Sequence, residues 1–77
     1  MVNVLLFAEL QETVGREKLT FDVDGITVKQ LKDQWLSTYN LVNIDDAMVA
    51  INEEYADEDA VISAGDTVAF IPPVSGG

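Results

Sequence analysis

The stretch Gly65-Asp66-Thr67-Val68-Ala69-Phe70-Ile71-Pro72-Pro73-Val74-Ser75-Gly76-Gly77 decides how this chain is read. Gly65-Asp66 is a turn signal, and Thr67 to Ile71 is a largely apolar, β-favouring run long enough for one strand. The two prolines that follow fix φ near −65° and remove two N–H donors, so the chain leaves the strand in an extended, polyproline-like direction. Gly76 and Gly77 lack a Cβ and fit a channel too narrow for any other residue. Six residues at roughly 3.1 to 3.3 Å each reach about 20 Å, enough to carry the Gly77 carboxylate into another protein's active site. The chain therefore divides into a folded body, residues 1–71, and a flexible arm, residues 72–77. Gly77 carries the chemistry, and Pro72, Pro73, Val74, Ser75 and Gly76 thread it.

Outward from that strand, Val2 to Phe7 is the other almost wholly apolar run. Such runs mark strands covered on both faces, so the first and last strands are expected side by side at the centre of one sheet. The arm would then leave from the middle of the sheet's end. Leu19, Phe21 and Val23 alternate with Thr20, Asp22 and Asp24, a strand with one wet face. Ala8 to Val14 reads as a helical turn or brief helix closed by a left-handed Gly15. Thr27 and Gln30 form a capping box, and Val28, Leu31, Trp35 and Tyr39 repeat at helical spacing, which makes 28–39 the main helix with Trp35 in the core. Met48 to Ile51 is a strand, Asn52-Glu53-Glu54 turns, and Tyr55 begins a short return. The order is strand, strand, helix, strand, short strand, strand: an α+β domain in which a mixed sheet of four to five strands wraps one helix.

Composition removes most chemistry. The chain has 77 residues, no Cys and no His. Disulfides, thiolate metal sites and Ser-His or Cys-His nucleophiles are thereby excluded, together with the usual general base near neutral pH. No run approaches the ~18 apolar residues of a membrane span, and no signal segment opens the chain, so a cytoplasmic protein is expected. Net charge is −10. All four cations, Arg16, Lys18, Lys29 and Lys32, precede residue 33 and meet five acids there, giving −1; nine acids and no cation from Asp33 onward give −9. Nucleic acid and anionic membranes are disfavoured partners, and a basic protein is a favoured one. The acids of 53–59 read equally as a solvated hairpin and as a steering surface. Asp57 and Asp59 do not open a calcium loop, because Ile62 and Val68 stand where Gly and Glu are required. No phosphate-cradling Gly-rich loop is present, so ATP, if used, is bound by a partner. The chemistry left is the α-carboxylate, ionised at neutral pH and able to attack the α-phosphate of ATP once an enzyme holds both. The acyl adenylate so formed is open to sulfur or an amine; with sulfur it becomes a thiocarboxylate at Gly77.

Leu6-Phe7-Ala8-Glu9-Leu10 with Gly15, Thr27-Val28 with Leu31, Val49-Ala50-Ile51-Asn52, Ala64 to Phe70, and Pro72-Pro73-Val74-Ser75-Gly76-Gly77 resemble the small, sulfur-carrying subunits of molybdopterin synthases, and the likeness covers nearly the whole chain. The resemblance implies a ubiquitin-like β-grasp. It also implies a carrier without catalysis of its own, which delivers thiocarboxylate sulfur to precursor Z (cyclic pyranopterin monophosphate) to form the molybdopterin dithiolene. The implied partners are a large subunit holding the active site, in a heterotetramer of two small and two large subunits, an ATP-using enzyme that adenylates Gly77, and a sulfur donor. This chain would bind no cofactor itself. Phe7, Tyr55 and Ile71 are the implied docking residues, with ordinary core packing as the other reading of Phe7 and Ile71. The sequence departs from the family at Gln11, where Arg is common, and at Leu6 and Ile71, where Phe is frequent. A related carrier for thiamine or tRNA thiolation, or a ubiquitin-like modifier of lysines, is the alternative within the same chemistry. Such carriers usually lack the Phe-Ala-x-Leu and Pro-Pro-Val-Ser segments. An adaptor with no covalent chemistry is the alternative outside it.

Overall fold

The computed structural model describes residues 1–39, 41 and 44–73. The strands are β1 (Val2–Leu6), β2 (Lys18–Phe21), β3 (Ile26–Thr27), β4 (Met48–Ile51), β5 (Glu54–Ala56), β6 (Val61–Ile62) and β7 (Thr67–Ile71). Five of them form one sheet in the order β2-β1-β7-β4-β5. β1 and β7 run parallel, with Val4 opposite Val68 and Leu6 opposite Phe70, and the other pairs are antiparallel. The last strand is therefore the middle one, as its apolar run implies. One helical segment, residues 28–39, lies across one face; this is the β-grasp.

Helix α1 (Ala8–Val14) is closed by Gly15 at φ 83°, whose N–H donates to the Gln11 carbonyl at 2.8 Å. The main helix, α2, opens with the capping box: the Gln30 N–H donates to Thr27 Oγ1 at 3.1 Å, and the Thr27 N–H donates to Gln30 Oε1 at 2.9 Å. Val28 and Lys29 donate their N–H groups to the carbonyls of Ala60 and Glu58, so the first turn is also satisfied by the loop before β6. α2 then departs from uniform geometry. It is α-helical over Val28–Gln30, widens to a π-type turn over Leu31–Trp35, and tightens to a 3-10 turn over Leu36–Tyr39. The wide turn brings Leu36, five residues after Leu31, onto the buried face; both are fully buried, while Trp35 and Tyr39 pack only partly against the core.

The core lies between α2 and one sheet face, with Val2, Val4, Leu6, Val68, Phe70 and Val49 from the sheet meeting Val28, Leu31 and Leu36. One expectation fails here. β1 is not covered on both faces: Val2, Val4 and Leu6 are buried, whereas Asn3 and Leu5 are half-exposed, and Ala69 and Ile71 show the same alternation in β7. α2, with the buried Leu10 of α1, covers one face of the five-stranded sheet, and the second set of apolar side chains is left facing outward.

The second strand stops at Phe21, before Val23. β3 and β6, absent from the sequence reading, form a two-stranded ladder that pairs Ile26 with Ile62. Lys32 is buried on α2, and its Nζ meets Asp45 at 3.5 Å and Glu58 at 3.6 Å, tying the helix to the turn Ile44–Asp46 and to the loop before β6. Among the described residues no helix is long and apolar enough to cross a membrane.

Candidate functional site

The outward sheet face is a shallow apolar depression. Its middle row follows the strand register: Leu5 of β1 lies opposite Ala69 of β7, Ala69 opposite Ala50 of β4, and Ala50 opposite Tyr55 of β5. Two alanines at the centre leave a low floor, and the larger side chains of Leu5, Phe7, Ile71 and Tyr55 stand around it, enclosing about 630 Å³. Phe7 is reached by continuing the outward alternation Asn3, Leu5, Phe7; its backbone is still extended, at φ −122° and ψ 154°, as it enters α1. Phe7 is 43% exposed and Tyr55 75% exposed, well outside the core. The three residues expected at a docking surface thus line one depression, and none belongs to the buried core cluster. The sequence reading missed Leu5, Ala50 and Ala69 of the apolar lining, which Asn52, Glu53 and Thr67 complete at the turn end. A signal for them was present: only residues 28–39 had the length and spacing to cover a sheet face, so half of each apolar strand was bound to lie uncovered.

The end of the depression away from the arm is pinned by a polar clasp. β4 and β5 are joined by a two-residue turn, Asn52-Glu53, with φ of 51° and 72°. Positive φ at both positions is what a type I′ hairpin turn requires, and the usual pair is Asn-Gly. Asn52 holds the turn to the neighbouring one. Its Nδ2 donates to Asp66 Oδ1 at 2.9 Å, and its Oδ1 accepts the Thr67 N–H at 3.0 Å; the backbone adds Asn52 N–H to the Thr67 carbonyl at 2.8 Å. The second oxygen of Asp66 accepts the Ser63 N–H at 2.9 Å. The Ser63 N–H, and then the Asn52 amide, hold the Asp66 carboxyl below its ordinary pKa, outweighing a small opposing effect of desolvation. Gly65 sits in that turn at φ 94°, which a side chain would strain.

At the other end the arm begins. Pro72 is buried and Pro73 exposed, so the chain leaves the body one residue after the strand stops. Ile71, the last residue of β7, lines the depression, so the root of the arm and the wall of the depression are the same residue. Val74, Ser75, Gly76 and Gly77, expected to thread and to react, lie outside the described residues.

Comparison with known proteins places this architecture. The profile of the ThiS family matches residues 4–77. The chain belongs to the ThiS family. Within its likenesses, the molybdopterin synthase sulfur carrier subunit of Drosophila sechellia is 38% identical, over 99% of this chain and 90% of that one. The protein of the same description from Escherichia coli K12 is 33% identical over the whole of both chains. Among solved structures, SAMP1 from Haloferax volcanii superposes with a TM-score of 0.83 at 31% identity, covering 99% of this chain and 98% of the other. The fold of this ThiS-family chain is thus the β-grasp traced above, ubiquitin-like in form, with Pro72 and Pro73 following directly on β7.

Proposed function

We propose that this chain is the sulfur carrier subunit of a molybdopterin synthase. The observation that carries the reading is likeness, across essentially its whole length, to proteins of that description from an insect and a bacterium. The geometry supports it: a central strand ends in Pro72-Pro73 beside an apolar depression, so a protein gripping the depression holds the root of the arm.

In the proposed cycle the Gly77 carboxylate attacks the α-phosphate of ATP held by an adenylating enzyme, releasing pyrophosphate. A sulfur donor then displaces AMP to leave the thiocarboxylate. The charged arm delivers its sulfur to precursor Z in the active site of a large subunit, in an assembly of two small and two large chains, and hydrolysis of the acyl carbon–sulfur bond by water returns Gly77 as a carboxylate. Pro72 and Pro73 set the exit direction, Val74 and Ser75 span the channel, and Gly76 lets the terminus pass its narrowest point. Phe7, Tyr55 and Ile71 form the docking surface for both partner proteins. ATP belongs to the activating enzyme, sulfur travels covalently on Gly77, and the cycle runs in the cytoplasm.

The test is Gly77→Ala and a chain with one residue added after Gly77. Both should fold normally and fail to accept AMP from the adenylating enzyme, since the change is remote from the core and sits where the terminus must thread. Adenylation of the extended chain at the normal rate would defeat the reading. Likeness to SAMP1, whose second crystal structure is described as a small archaeal modifier protein, favours a second reading in which Gly77 is joined to lysines of other proteins. Both readings share the adenylate and part at the acceptor. Intact mass of the chain from its own cells separates them, showing sulfur in place of oxygen at Gly77 in one case and an adduct of a second protein in the other.

A further inference from the structure

The depression has features that specify what sits in it. Its floor is two methyl groups, Ala50 and Ala69, with no side-chain donor or acceptor between them. Asn52, Thr67 and Tyr55 also line the depression, Asn52 with its amide already committed to Asp66 and Thr67, so an occupant whose tip rests on the two alanines meets methyl groups rather than hydrogen-bonding partners. Among the described residues a single charged one lines the depression, Glu53, at the turn end. Glu53 takes part in neither ion pair found among the described residues. It is held at φ 72° in the turn position where Gly is the usual choice, so the fold keeps a carboxylate there against its own backbone preference. The surrounding half of the chain, residues 33–77, carries nine acids and no cation.

We propose that the docking protein seats one large apolar side chain on the Ala50-Ala69 floor and places a lysine or arginine beside it that pairs with Glu53. This rests on the docking reading given above and specifies its partner: an apolar knob with an adjacent cation. The walls supply area to a bulky occupant, and the pair with Glu53 fixes which way round it enters. Clasped by Asn52 to Asp66 and Thr67, the turn presents Glu53 at a fixed place on the rim.

The experiment titrates the full chain against the adenylating enzyme of its source organism by calorimetry across a salt series. Trp35 fluorescence and circular dichroism confirm folding of each variant. Ala50→Leu fills the floor and should weaken binding about tenfold or more at every salt concentration. Ala69→Leu is the second floor variant if the first does not fold. Glu53→Gly should weaken binding about fivefold at low salt, flatten the salt dependence, and raise Tm by about 5 °C as the strained turn position is relieved. Wild-type affinity in either a folded floor variant or Glu53→Gly overturns the proposal. Ile71→Asp run in parallel separates the two levels. Binding retained in Ile71→Asp sinks the docking surface as a whole. Binding lost there but unchanged in a floor variant or Glu53→Gly leaves the surface standing and removes only the knob and cation.

Discussion

Replacing Ile71 with Asp puts a charge on the wall of the depression at the root of the arm, on the strand next to the most buried aromatic of the core. Ile71 is half-buried and on the outward face, so in the free protein the new carboxylate keeps its water. The cost is the partial burial of one isoleucine, roughly 1 kcal/mol. A domain of 77 residues at roughly 0.05 to 0.15 kcal/mol per residue holds about 4 to 12 kcal/mol, so the fold survives. On the docking reading the same carboxylate is covered in the complex by apolar partner surface, at the arm end of the depression and away from the cation that pairs with Glu53 at the turn end. A penalty of about 4 kcal/mol is roughly a thousandfold in Kd, and several kcal/mol is the ordinary cost of such burial. Phe70, one residue earlier and fully buried on the opposite face, is the internal control. Phe70→Asp loses about 3 to 5 kcal/mol of packing and buries a charge as well, which exceeds what the domain can spare. The paired assay is Trp35 fluorescence with circular dichroism for the fold, and titration of the adenylating enzyme and of the large subunit for binding. Ile71→Asp should be folded and bind neither; Phe70→Asp should be unfolded. An unfolded Ile71→Asp, or a folded one that binds both partners at wild-type affinity, would refute the reasoning.

Three further outcomes are expected. Because the folded Asp66 carboxyl titrates below its ordinary value of 3.8, its contribution to stability is complete above that value and fades as pH falls through the lower, folded one. Thermal melts of Asp66→Asn from pH 2 to 6 should accordingly show a shallower acid limb than the wild type, and parallel limbs would mean that the clasp is not felt. Lys32→Met should leave stability unchanged or raise it, since a buried ammonium is exchanged for an apolar chain of similar length. The double change Asp45→Ala with Glu58→Ala should cost about 1 to 3 kcal/mol in urea unfolding by leaving that ammonium unpaired, discounted because both acids are largely exposed. Association with the adenylating enzyme should slow with salt while dissociation changes less, as screening with a Debye length of about 8 Å at physiological ionic strength weakens the field of residues 33–77; a flat stopped-flow association rate would assign those acids to solubility.

The parts of the fold legible in the sequence were those written in local chemistry. Thr27 and Gln30 announced their own reciprocal bonds, Gly15 its left-handed cap, and the two apolar runs their place at the sheet centre. What escaped depends on partners distant along the chain. A two-residue ladder such as Ile26–Thr27 with Val61–Ile62 has no periodicity to read. The π-type turn of α2 exists because Leu31 and Leu36 both find the core, and a spacing of five does not follow from helical propensity. Asn52 reads as a turn former, but its hold on Asp66 and Thr67 needs two turns to meet in space. The outward set Leu5, Ala50 and Ala69 was hidden for another reason. An apolar strand residue looks alike whether a helix or a partner protein covers it, and only the count of available helices tells the two apart.

The strand order β2-β1-β7-β4-β5 has a consequence for biosynthesis. β7 alone bonds to both the β1–β2 ladder and the β4–β5 ladder, so before Thr67–Ile71 emerges from the ribosome no strand is available to join the two into one sheet. The segment that joins them is made last of the strands, so the fold cannot mature from its N-terminus forward as synthesis proceeds. Leu5 comes from one ladder and Ala50 and Tyr55 from the other, so the depression is absent from every nascent chain that stops short of β7. On the docking reading proposed above, a truncated translation product would present no such surface, and only a chain whose last strand joins the two ladders would do so.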